Sequence, residues 1–148
     1  MTLKRWLENR WLKPHRVNHK EVAGLLSIVD RDIKDAGAAL SADWRFGIAY
    51  NAALKLCTVL LQAEGYRAAH DLQHYRTIAA MPLILGDSKA ADAEYLDTCR
   101  KKRNIVEYER AGSISVTEAD ELLAFAIELR GVVMNWLKNT HPALIAGN

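Results

Sequence analysis

The residues best placed for chemistry lie late in the chain. Arg100, Lys101, Lys102 and Arg103 form a run of four cations in a segment that reads as helix over about residues 89–107. At 100° per residue, Leu96, Cys99 and Val106 cluster within an arc of roughly 80°, and Arg103 falls inside that arc. An arginine therefore points where the apolar stripe points. A guanidinium taken out of water needs a partner. One reading pairs Arg103 with Glu107, one turn on, or with an acid on another helix such as Asp43. The other aims it into a cleft or a dimer seam, where it binds a phosphate. Arg100, Lys101 and Lys102 surround the same turns, either as a solvated basic face or as further attraction for an anion.

Five histidines are available as proton carriers. His70 and His74, four apart, would share a face of a helix over about residues 70–85. The run HDLQH lacks the HExxH form and shows no third ligand, so no metal site is expected. His15, His19 and His141 fall at helix ends. Phosphate loops of the GxxxxGK[ST] or GxGxxG type and GxSxG nucleophile elbows are absent. The acids Glu118, Asp120 and Glu121 open a helix, where negative charge suits the dipole. No cofactor is implied.

The stretch CRKKRNIVEYERAG, residues 99–112, resembles the late-helix signature of HEPN domains, the "higher eukaryotes and prokaryotes nucleotide-binding" family. The segments WRFGIAYNAALKL (residues 44–56) and HYRT (residues 74–77) are similar to the usual helix layout of that family. The resemblance implies an all-helical bundle that dimerises through these helices. It implies a role in RNA or nucleotide binding of toxin–antitoxin or defence type, with an antitoxin or a nucleotidyltransferase as a possible class of partner. Carried over by position, Arg103 matches the motif arginine and Asn104 the polar residue after it. The motif histidine should lie between Glu107 and Arg110, and none is present. Tyr108 stands at its commonest position.

That departure bears on activity. In the ribonuclease chemistry of the family, a 2′-hydroxyl attacks the adjacent phosphate while an imidazole carries the proton near pH 7. The arginine stabilises the charge that develops. A tyrosine, with a pKa of about 10, is a poor base there. It can still donate a hydrogen bond or stack on a base. The resemblance thus implies binding through Arg100, Lys101, Lys102 and Arg103, with Asn104 and Tyr108 as further contacts. Activity would need a proton carrier such as His74. Two rival expectations stand beside binding: an active metal-independent endoribonuclease, and a non-catalytic interaction scaffold.

The elements that must position these residues read as five or six helices and no sheet, an all-α bundle in one domain over residues 1–148. Residues 1–16 form a basic N-terminal segment, helical over about 2–13, with Leu3, Trp6, Leu7 and Trp11 near one face and Pro14 as a stop. Its tryptophans suit packing or a protein interface better than a membrane. The second helix covers about 19–36, with Asn18 and Glu21 in the form of a capping box and an apolar stripe of Val22, Leu25, Leu26, Val29 and Ile33. The third, about 42–64, starts at Ser41 and is apolar on much of its circumference, which marks the centre of a bundle. The fourth, about 70–85, contains Pro82. The last covers about 117–139, with Ser115 and Glu118 as a second capping box and Leu122, Ala126, Leu129, Val133 and Trp136 inward.

Length and charge bound the rest. A chain of 148 residues fits one domain. It carries 20 basic and 18 acidic side chains, and a net charge of +2 is too small to bind nucleic acid by bulk attraction. Cys57 and Cys99 sit in no CxxC pair and read as buried thiols of a reducing compartment. The start, MTLKRWLENRWLK, lacks the apolar core of a signal peptide, and no 18-residue uncharged apolar window stands out. The expectation is a cytoplasmic protein.

Overall fold

The computed structural model describes residues 1–38, 40–108 and 112–146, and only the backbone of residues 106–108. The architecture is an all-α helical bundle. Its elements, in order, are α1 (Leu3–Glu8), β1 (Leu12–Pro14), α2 (His19–Ala36), α3 (Ala42–Ala63), β2 (Tyr66–Ala68), α4 (Gln73–Ala79), α5 (Met81–Leu85), α6 (Ala90–Tyr108) and α7 (Val116–Thr140). Short 3-10 turns span Asp87–Lys89 and Pro142–Leu144.

α3 is the axis of the bundle. Phe46, Ala49, Tyr50, Ala53, Leu56, Cys57 and Leu60 are all buried along it. Its most extensive contacts are with α2 and α7, and α6 and α4 close the remaining side. Val22 and Val29 of α2, Leu96 and Cys99 of α6, and Leu122, Ala126, Leu129, Val133 and Leu137 of α7 complete one core. By length and composition α3 is apolar enough to cross a membrane, and 61% of that stretch is buried inside the fold. Its apolar surface is thus largely taken up by other helices, as expected of a core helix.

Caps explain where these helices begin. Ser41 accepts the backbone N–H of Trp44, and Asn18 accepts that of Glu21. Ser115 and Glu118 form a complete capping box at 3.0 and 3.1 Å. The box expected at Asn18 is only half made, because the Glu21 carboxylate turns to His15 at 3.0 Å. Gly65 and Gly86 follow α3 and α5 with φ of 95° and 110°, a region that glycine enters without steric cost.

The N-terminal segment departs from its sequence pattern. α1 ends at Glu8, not near Lys13, and a two-stranded antiparallel sheet stands where none was expected. The reason is local. Arg10 takes φ 64°, while the N–H of Arg10 donates to Leu7 O and that of Trp11 to Trp6 O at 3.0 and 2.9 Å. This is a Schellman-type stop with arginine in the place glycine usually takes. The chain then reverses, and β1 pairs with β2 in the register Leu12↔Ala68, Lys13↔Arg67, Pro14↔Tyr66. Trp11 still meets Trp6, edge-on at 5.7 Å, so the apolar spacing is used without a continuous helix. Trp6, Leu12, Leu61, Ala68 and Ala80 form a second, smaller core under the sheet.

The fourth helix also differs. It begins at Gln73 and breaks at Ala80, just before Pro82, which occupies the first turn of α5. His70 lies in the preceding loop with its side chain 97% exposed. The two histidines therefore do not share a helix face.

Both cysteines are free and buried. Burial pushes the Cys57 thiol up to about 12 and the Cys99 thiol up to about 11. Neither thiolate forms near neutral pH. A disulfide-exchange thiol reagent is expected to leave both unmodified in the native protein at pH 8, and to titrate two thiols in denaturant. Rapid reaction of either in the native state would contradict this packing.

Candidate functional site

The site is built where α6 crosses α3 and α4. Leu96 and Cys99 anchor α6 in the core at 0% and 3% exposure. One turn beyond Cys99, Arg103 is half-buried, with its Cζ 5.4 Å from the centre of the Tyr50 ring. A guanidinium over an aromatic face is attracted by the ring quadrupole. Burial raises the pKa of Tyr50 well above the usual phenol value, and Arg103 and Arg100 pull the other way. The phenol is neutral at any ordinary pH. Its buried hydroxyl has no hydrogen-bond partner among the described residues.

The four cations of the run separate. Arg100 donates to Asp97 at 2.7 Å and its guanidinium lies 5.9 Å from the centre of the Tyr75 ring. Lys101 is exposed, 3.6 Å from the other Asp97 oxygen. Lys102 turns to the start of α7 and donates to Glu118 at 2.5 Å. That bond raises the Lys102 pKa and lowers that of Glu118. Arg100 and Arg103 thus face α4 and α3, while Lys102 faces α7. Asn104 is exposed. The side chains of Glu107 and Tyr108, the proposed ion-pair partner and motif-position tyrosine, lie outside the described residues.

α4 completes the group. His74 and Tyr75 border a shallow recess with Arg100. Partial desolvation lowers the pKa of His74, and the charges of Arg103, Arg100 and Lys55 lower it further. His74 is neutral at pH 7, with one ring nitrogen able to accept a proton. Arg76, beside it in sequence, points elsewhere and lies 4.5 Å over the Trp11 ring. A titration of the His74 ring by NMR is expected to give a midpoint below the ordinary value of about 6.5. Arg100→Ala should move that midpoint up, because a repelling charge is removed. The unfolded chain takes up a proton at His74 at a higher pH than the folded one, so this group lowers stability as pH falls through about 6.5. An unshifted midpoint in Arg100→Ala would contradict the arrangement.

A second recess opens beside Arg103. Asp43, Trp44, Phe46, Gly47, Ile48 and Asn51 of α3 line it together with the guanidinium side of α6. Trp44 is 68% exposed. Asp43 stands in the first turn of α3. Its Oδ2 accepts the Gly112 backbone N–H at 2.5 Å, tying the segment before α7 to α3, and its Oδ1 is buried without a partner among the described residues. Arg45, the next basic residue, ion-pairs Asp120 and donates to Ala36 O at 2.9 Å. Sequence reasoning passed over Trp44 and Asn51. The available signal was their spacing with Gly47 and Ile48 at i, i+3, i+4 and i+7, which places all four on one face of α3.

Among the described residues, no group of three or more His, Cys, Asp or Glu side chains is placed to hold a metal ion. Comparison with models of known families, with curated protein sequences and with solved structures finds no match to this chain.

Proposed function

We propose that this helical domain binds RNA or a nucleotide, with Arg103 and Arg100 as its phosphate contacts. The reading rests on the HEPN-type signature around Arg103 and on one observation. Arg103 links two recesses: it lines that of Trp44 and Asn51, and its charge acts on His74 in that of Arg100 and Tyr75. Guanidinium groups beside exposed aromatic rings suit a phosphodiester whose bases are unpaired. Toxin–antitoxin or defence work, a homodimer, a cytoplasmic setting, and an antitoxin or nucleotidyltransferase partner belong to the same proposal. A fluorescence-anisotropy titration with a short mixed-sequence RNA tests it. Binding should weaken as salt rises, because phosphate contacts release counterions. An affinity indifferent to salt would remove the phosphate site.

The neutral His74 supports a second reading, a metal-independent ribonuclease. His74 would take the proton of a 2′-hydroxyl as that oxygen attacks the adjacent phosphorus. The 5′-oxygen would leave and take up a proton from water or from the imidazolium so formed, giving a 2′,3′-cyclic phosphate and a 5′-hydroxyl end. RNA cleavage with chelator present, lost in His74→Ala, is the expected result of this reading. Equal cleavage by both proteins, or none by either, excludes this role for His74.

A further inference from the structure

Gly47 stands inside the 22 residues of α3. Glycine in a helix interior costs roughly 1 kcal/mol relative to alanine. Packing does not require it, since a Cβ there would meet no atom within 4 Å. What its missing side chain leaves clear is the recess beside Arg103, a cavity of about 260 Å³. Trp44, Gly47, Ile48 and Asn51 lie on one face of α3 along that cavity, and Arg103 enters from α6.

We infer that this cavity takes the base of a single nucleotide, with its phosphate at Arg103. The inference rests on the nucleotide reading above and names the site of recognition within it. Trp44 offers a flat, mostly exposed ring on which a base stacks. The exposed amide of Asn51 carries both donors and an acceptor for a base edge. Arg103 supplies the fixed positive fork for the phosphate. The volume lies just under the range of roughly 300–1,000 Å³ typical of small-molecule sites, which fits one base rather than two. A free nucleoside monophosphate and an unpaired nucleotide within RNA share this chemistry.

Gly47→Leu and Trp44→Ala test the inference. Leucine at 47 fills the cavity while improving helix propensity, so its melting temperature should equal or exceed that of the wild type. Calorimetry with AMP, GMP, CMP and UMP, and anisotropy with a labelled pentanucleotide, read the affinity. Both variants should bind at least about 10-fold more weakly than the wild type. Loss of free nucleotides together with RNA assigns the site to either source, and loss of RNA alone assigns it to an unpaired nucleotide in a strand. Undiminished RNA binding in Gly47→Leu, with binding lost in Arg103→Ala, overturns this inference and leaves the phosphate site standing. No binding of any nucleotide or RNA by the wild type overturns both. Sedimentation supplies the last outcome: if Trp44→Ala turns a dimer into a monomer with RNA affinity unchanged, the face belongs to a second copy of the chain and the inference fails.

Discussion

Leu56→Ala is expected to destabilise the protein by about 3 kcal/mol, within the roughly 2–5 kcal/mol seen for leucine truncation in close-packed cores. Leu56 is 0% exposed at the middle of α3. Its side chain belongs to the core shared with α2, α6 and α7. Truncation removes buried methyl groups and leaves a void that helices on several sides cannot all collapse to fill. For a domain of this size such a loss lowers the melting temperature by roughly 6–12 °C. The same truncation at the exposed Ile127 of α7, 52% exposed, should move it by no more than about 1–2 °C. A thermal melt that treats the two positions alike would contradict the placement of α3 at the centre.

Arg103→Ala is expected to separate binding from stability. If the guanidinium serves a phosphate, its removal takes away charge-assisted hydrogen bonds worth roughly 1.5–3 kcal/mol, an affinity loss of about 10- to 100-fold. The fold should lose less than a stranded buried acid would cost, the contact with the Tyr50 ring contributing about 0.5–2 kcal/mol. If Arg103 instead satisfies a buried acid, as the scaffold reading holds, its removal strands that acid and costs about 3–5 kcal/mol. The two accounts thus predict opposite pairings of melt and affinity.

Much of the bundle was legible in the chain. α2, α3 and α7 begin at Asn18, Ser41 and Ser115, whose side chains accept the backbone N–H groups expected of them. The inward stripe read on α7 holds from Leu122 to Val133, but Trp136 is only half-buried and Leu137 beside it fills the core. These features are local, and local spacing carries them. The sheet was not legible because its partners, residues 12–14 and 66–68, are more than fifty positions apart and only three residues long. Leu7 and Trp11 also stand four apart, as on one helix face, while the chain turns at Arg10 between them and brings Trp11 onto Trp6.

The candidate site shows the same division. The phase of α6 put Arg103 with Leu96 and Cys99, and the structure places it over Tyr50 of α3. Phase groups Arg100 with Arg103, three apart, and turns Lys102 away, but it could not tell which acids these cations meet, Asp97 for Arg100 and Glu118 for Lys102. Nor could it distinguish His74 from His70. Their separation follows from the left-handed turn at Leu72, φ 53°, which starts α4 late. The recess of Trp44 and Gly47 was missed because its stripe merges into a helix that is apolar on much of its circumference.

The most direct measurement is the RNA titration of wild type and Arg103→Ala at low and high salt, paired with a melt of each. Salt-sensitive binding by the wild type, a 10- to 100-fold loss in the variant and a fall in melting temperature smaller than a stranded acid would cause are expected. Equal RNA affinity of the two proteins, or no RNA binding together with a large fall in the variant's melting temperature, would contradict the phosphate site at Arg103.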